Sequence, residues 1–172
     1  FRSTAIAAVI TAAGVSLSGS ETVTLAETSL LAATLVTIDG ATTGTISAGK
    51  ATLLSGAMSD VLSVVTSAGV SLSGAELITL SNTGTVSAAD LITLDGKTTG
   101  LVNASAAAAL SGAATAIAAV VTAAGVSLSG SETVTLAETS LLAATLATID
   151  GKTTGVVKAT DATTITGAAS AV

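Results

Sequence analysis

The string Ala-Gly-Val-Ser-Leu-Ser-Gly occurs three times, at 13–19, 68–74 and 124–130, almost evenly spaced along the chain. An Asp-Gly step keeps the same beat, as Asp39-Gly40, Asp95-Gly96 and Asp150-Gly151. Copies recurring so regularly fold as stacked units, none of which can bury its apolar face alone. They divide the chain into units 3–56, 57–112 and 113–167, with 168–172 starting a fourth. The first and third units are near copies: residues 5–40 and 116–151 differ only at Ile10/Val121 and Val36/Ala147. The second is divergent, with one extra residue inserted around Asn82–Gly84. The full repeat is therefore a pair of unlike units, which carries Ala5 onto Ala116.

Each unit also folds in half. Val-Ser-Leu-Ser-Gly at 15–19 is answered by Thr-Ile-Ser-Ala-Gly at 45–49. Leu17, Ile46, Leu72, Val102, Leu128 and Val157 are equivalent points, and the steps between them alternate between longer and shorter. The expectation is a single solenoid over 1–172, made of about six coils of about 26–30 residues. Thr22-Val23-Thr24-Leu25, Leu77-Ile78-Thr79-Leu80 and Thr133-Val134-Thr135-Leu136 alternate as short strands do. Ile6, Val9, Ile10 and Ala13 instead share one helical face, as do Ile117, Val120, Val121 and Ala124. Val61, Leu62 and Val65 approximate that face, and Leu31, Leu35 and Ile38 match Leu142, Leu146 and Ile149 in the other half-unit. Ser87-Ala88-Ala89-Asp90 has the form of a capping box, and Gly14, Gly69 and Gly125 stand where helices would stop. A helix of about 11 residues rises about 16 Å, which about five extended residues also span, so such a coil can close. The fold class expected is therefore an α/β repeat solenoid with short parallel strands and Ala-rich helices. The alternative is an all-β parallel β-helix; Ala is a poor strand former, and Ala5–Gly14 lacks period-two alternation.

Composition closes off many functions. The chain holds 37 Ala, 31 Thr and 21 Ser, and His, Cys, Pro, Trp and Tyr are all absent. Disulfides, Cys/His zinc sites, His-based triads and aromatic stacking on bases are thereby excluded. A net charge of −6 has the wrong sign for a phosphate-backbone binder, so no nucleic-acid partner is expected. Mean hydropathy is high at +0.86. The longest apolar runs are nevertheless only Ala5–Ile10 and Ala116–Val121, far short of the roughly 20 residues that a membrane span needs.

The alternation of Gly-Val-Ser-Leu-Ser-Gly-Ser-Glu-Thr-Val-Thr-Leu with Leu-Ala-Thr-Ile-Asp-Gly-Lys-Thr-Thr-Gly resembles the repeats of giant Ala/Thr/Ser/Gly-rich cell-surface proteins of marine cyanobacteria. The resemblance spans essentially the whole chain. It implies a structural role outside the cell or at its surface, and it carries over no functional residue.

The acidic residues recur in register, as Glu21/Glu76/Glu132, Glu27/Glu138 and Asp39/Asp95/Asp150. Rows of carboxylates can bind calcium, but such an ion wants six to eight oxygen ligands. Equivalents on every second coil lie about 10 Å apart, too far for one ion to bridge. No metal site is expected; Asp-Gly reads as a tight turn, and Glu21 or Glu27 as capping or solvating a corner. Lys50, Lys97, Lys152 and Lys158 could in form pair with a serine, but Lys50, Lys97 and Lys152 each follow a glycine in a turn, where solvated lysine is ordinary. No catalytic residue and no cofactor is expected, and the chain reads as no enzyme. Thr22-Val23-Thr24 recurs as Thr133-Val134-Thr135, but unit two has Leu77-Ile78-Thr79, which breaks any flat threonine ladder.

The function expected is that of a non-enzymatic structural repeat protein. It would be a segment or subunit of an extracellular filament, sheath or cell-surface stalk assembled head to tail. The alternative is a surface-binding adhesin or ice-binding solenoid module. Leu17 and Leu128 are expected to be inward strand residues. The two ends fall at nearly the same phase of the repeat: Ser3-Thr4-Ala5-Ile6 matches Ala114-Thr115-Ala116-Ile117, and Gly167–Val172 matches Gly112–Ile117. Each end is therefore expected to be covered by the same kind of surface, from another copy or from further repeats of a longer chain.

Overall fold

A computed structural model of the chain describes residues 2–168. The helix expected to start in the last repeat stub, at 169–172, lies outside the described residues. Six helices are present among those described: α1 (Ser3–Ile10), α2 (Ala32–Asp39), α3 (Met58–Thr66), α4 (Ala88–Asp95), α5 (Ala114–Thr122) and α6 (Ala143–Asp150). Their first residues keep one fixed offset ahead of the equivalent points read from the sequence, at 17, 46, 72, 102, 128 and 157. They are shorter than expected, because most are entered almost directly from a strand.

Two strands, β1 (Val23–Thr24) and β2 (Ser29–Leu31), lie between α1 and α2, and two more, β3 (Ile46–Ser47) and β4 (Leu53–Gly56), precede α3. Three follow α3: β5 (Val70–Ser71), β6 (Leu77–Leu80) and β7 (Thr85–Ser87). β8 (Val102–Asn103) and β9 (Ala109–Ser111) precede α5; β10 (Val126–Ser127), β11 (Thr133–Thr135) and β12 (Ser140–Leu142) precede α6. β13 (Val157–Lys158) and β14 (Thr164–Thr166) follow it. Every pairing is parallel, in four open sheets ordered β1-β3-β5, β10-β8-β6-β4-β2, β13-β11-β9-β7 and β12-β14. Each helix packs on the next. The chain is thus α/β, and the all-β alternative falls to the helices, whose Ala-rich segments favour helix over strand.

The strand register differs from the sequence reading. Leu30, Leu54, Ile78, Val102 and Val126 stand side by side at one constant step, which is shorter than any step between successive helices. The mismatch shifts the helices along the strand stack. One such step beyond β5 the chain is ending α4, and one such step before β7 it is inside α3. One column of strands therefore stops and another starts. The inward strand residues are Ile46 and Val102, whose partners are Val70 and Val126 rather than Leu72 and Leu128. Leu17 is 43% exposed and Leu128 half-buried, and neither lies in a strand, which corrects the expected inward placement. Both sit in the corner loop that the repeated string builds.

The core runs between strands and helices as one cluster. From strands it takes Leu30, Leu54, Ile78 and Leu110; from helices it takes Leu35, Val61, Leu91 and Ile117. Burial of a side chain of this size contributes about 1.5–3 kcal/mol.

Candidate functional site

The polar side chains fall into three recurring arrangements. The first is the corner after each odd-numbered helix, in Ser18-Gly19-Ser20-Glu21, Ser73-Gly74-Ala75-Glu76 and Ser129-Gly130-Ser131-Glu132. The glycine has φ near +76°, which turns the chain so that the glutamate folds back on the serine. The Ser129 amide and hydroxyl donate to Glu132 Oε1 at 2.5 and 2.7 Å, and the Gly130 amide donates to Oε2 at 3.1 Å. Ser73 and Gly74 hold Glu76 with the same donors, all three converging on Oε1. Glu76 and Glu132 are consequently 2% and 1% exposed, with their negative charge satisfied by donors of their own loop. Glu21, in the first corner, is half-buried; the Ser18 hydroxyl, and after it Glu21's own amide, hold its carboxyl below the ordinary carboxylate range.

A Thr-Thr-Gly loop lies over each corner. The hydroxyls of Thr42, Thr98 and Thr153 donate to the carbonyls of Glu21, Glu76 and Glu132 at 2.7–2.8 Å. They also accept from the amides of Gly44, Gly100 and Gly155 at 2.9–3.0 Å. A Cβ on any of these glycines would run into the same glutamate backbone, so glycine is required by close approach.

The second arrangement caps the odd-numbered helices from the neighbouring layer. The first amide of α1, at Ser3, donates to Glu27 Oε2 at 2.5 Å, and that of α5, at Ala114, donates to Glu138 at 3.0 Å. In α3 the Met58 amide finds Asn82 Oδ1 at 2.7 Å, so Asn82 takes the role of the glutamates in the divergent unit. Each cap lies the same distance along the chain, one strand step, beyond the amide it serves. Glu27 thus caps, as expected, whereas Glu21 closes its own loop. In α4 only half of the expected capping box is made, with Ser87 Oγ accepting from the Asp90 amide at 3.4 Å.

The third arrangement is at the helix ends. Asp39, Asp95 and Asp150 are the last residues of α2, α4 and α6, and each Asp-Gly step forms the tight turn expected of it: the amides of Ala41, Lys97 and Lys152 donate to the carbonyls of Ile38, Leu94 and Ile149 at 3.0 Å, with the glycines as right-handed C-caps. Asp39 lies against Gly69 and accepts from Ser67 Oγ at 2.9 Å; Asp95 lies against Gly125. Gly69 and Gly125 therefore serve as seats for a carboxylate and not as helix stops; α3 has already ended at Thr66 and α5 at Thr122.

Among the described residues no group of three or more His, Cys, Asp or Glu is placed to hold a metal ion, and no helix is long and apolar enough to cross a membrane. The four lysines are exposed. Rows facing away from the core are mixed: Leu31-Ser55-Thr79-Asn103-Ser127 in one sheet, and Ser87-Ser111-Thr135-Lys158 in another.

Two openings lined mainly by apolar side chains lie at opposite ends of the described residues, and a more polar hollow of about 460 Å³ lies between them beside Met58, Asn82 and Asp90. Leu35 and Leu91 are fully buried, but their equivalent in α6, Leu146, is half-buried. Leu54 and Leu110 are fully buried, whereas Ile165 is 62% exposed. With Ala143, Asp150 and Val157 these residues line an open hollow of about 440 Å³. At the other end Ile6, Val9 and Ile10 line a shallower one of about 200 Å³. Sequence reasoning missed the buried glutamates; the Ser-x-x-Glu spacing was their available signal. A comparison of the chain with protein-family models, curated proteins and solved structures finds no match.

Proposed function

We propose that the chain is a stretch of a non-enzymatic structural solenoid, part of an extracellular or cell-surface filament, sheath or stalk that extends by adding units end to end. The observation that carries this reading is that one repeated face is covered by the next unit: Leu91, Val102 and Leu110 are buried at 0% exposure beneath it, and each helix packs on the next. A heterologous contact between such faces does not close, and it generates a fibre. The location rests on the resemblance to giant cell-surface repeat proteins.

Hydrogen bonds between successive units support the same reading: threonine hydroxyls reach the carbonyls of Glu21, Glu76 and Glu132, and Glu27, Asn82 and Glu138 cap helices one strand step away. The mixed outward rows favour it over an ice-binding or adhesive face, which needs one residue type repeated on every layer. Light scattering and electron microscopy over a concentration series test the proposal. Concentration-dependent, end-to-end rods are expected, and a stable monomer at every concentration overturns it.

A further inference from the structure

The second unit departs from its two siblings around one hollow. It lies in the middle of the stack, between the start of α3, β7 and the start of α4, and measures about 460 Å³. That is within the roughly 300–1,000 Å³ usual for small-molecule sites. Several of its lining residues differ in chemistry from both of their equivalents. Met58 stands where the siblings have Ser3 and Ala114, and Leu62 where they have Ala7 and Ala118. With Val86 these two give the hollow an aliphatic floor, in which Met58 and Val86 are buried.

The polar changes form its wall. Ser87 replaces Leu31 and Leu142, which are 56% and 55% exposed, so a hydroxyl stands where the siblings present an isobutyl group. Asn82 replaces the capping glutamates Glu27 and Glu138; its Oδ1 is occupied by the Met58 amide, and its Nδ2 retains two donors. Asp90 replaces Thr34 and Thr145, and its carboxylate does not complete the capping box, where only Ser87 Oγ accepts from the Asp90 amide.

Charge and chemistry together select the ligand. Asp90 is the single charged group in the lining, which repels an anion. Hydroxyls that donate and accept, carboxamide donors and a carboxylate acceptor, set above an aliphatic floor, complement a ring with hydroxyls on its edge and C–H groups on its face. We infer that the hollow binds a neutral pyranose unit of a saccharide. One ring hydroxyl donates to the Asp90 carboxylate, its neighbour accepts from Asn82 Nδ2, and the C–H face lies on Met58 and Leu62. This gives the second unit a ligand of its own, and it does not depend on the filament reading.

Heteronuclear NMR of the full chain tests the inference, with methyl glycosides of neutral hexoses and N-acetylhexosamines added to millimolar excess. At least one glycoside should give saturable shifts confined to the amides around Met58, Asn82, Ser87 and Asp90. Ser87→Leu and Asp90→Thr install residues that both siblings carry at these positions, so their circular dichroism should match the parent. Each should weaken binding at least about tenfold, as loss of a hydrogen bond to a charged group or obstruction of the site does. No saturable shift with any glycoside, shifts centred elsewhere, or unchanged affinity in either variant overturns the inference. Shifts at these amides with tetramethylammonium and none with the glycosides also overturn it, and make the hollow a cation site.

Discussion

Helices α1 and α5 have almost the same sequence and different surroundings. Ser3–Ile10 reads STAIAAVI, and Ala114–Val121 reads ATAIAAVV. In α5, Ile117 and Val120 are fully buried because α4 packs on one side and α6 on the other. In α1, which packs on α2, Val9 is 53% exposed. Burial in this molecule is thus a property of position in the stack. The same pattern specifies a helix in both places, but only a neighbour on each side turns its apolar face into core.

The sharpest way to break that comparison is to place a charge in both helices. Ile117→Asp leaves an unpaired carboxylate in the core and should cost roughly 4 kcal/mol or more, whereas Ile6→Asp should cost about 1 kcal/mol in the single copy. Thermal unfolding followed by circular dichroism measures both, since the chain has no Trp or Tyr to report by fluorescence. Equal losses would mean that α1 is packed as α5 is.

The Glu21 and Glu132 corners, two of the three, repeat the contrast with identical Ser-Gly-Ser-Glu loops. Glu132→Ala strands the amides of Ser129 and Gly130 beneath the Thr-Thr-Gly loop, for an expected loss of about 2 kcal/mol. Glu21→Ala removes the same bonds where water can replace them, and the loss should be visibly smaller in the same melting experiment.

A weaker effect is expected at the caps. Glu138→Ala takes the partner from the Ala114 amide and should cost about 1 kcal/mol, as loss of an N-cap does. Asn82→Ala should act alike on α3, so a large difference between the two would separate charge from hydrogen bonding at the helix terminus. Amide exchange at the first turns of α5 and α3 reads each directly.

The smallest effect is in pH. Glu21 titrates below its ordinary value near 4.5 when folded, so its contribution to stability is complete above that value and is lost as pH falls through the lowered one. The melting difference between the parent and Glu21→Gln should therefore shrink on acidification below about pH 4.5. A difference that grows in acid would reverse the sign and refute the assignment of the Ser18 bond.

The helices were legible in the sequence because Ile, Leu and Val recur three and four positions apart among Ala, and the intervals between them follow directly. Strand register was not. β1, β3, β5 and β10 have two residues each, too few for alternation to identify an inward side. The most regular string in the chain, Ala-Gly-Val-Ser-Leu-Ser-Gly, therefore drew the register to Leu17, Leu72 and Leu128. Its regularity has another origin, in the corner whose serine must meet the glutamate just beyond the turn. Hydropathy alone would not bury Glu76 or Glu132, because their charge is satisfied by amides that belong to their own loop. The Asp-to-Gly seats were illegible for a different reason: they join residues far apart in the chain that no local motif connects.

Two rulers of unequal pitch laid side by side behave as a vernier, and this chain contains such a pair. Its strands are graduated more finely than its helices, so the marks drift apart and a helix cuts off each strand column in turn. The longest column reaches five strands, a run of about 20 Å. Among the described residues no flat ribbon of backbone edge or side chains extends beyond that patch. A lattice-like surface laid against this flank would lose step within five strands, because no row of side chains continues past the helix that ends its column.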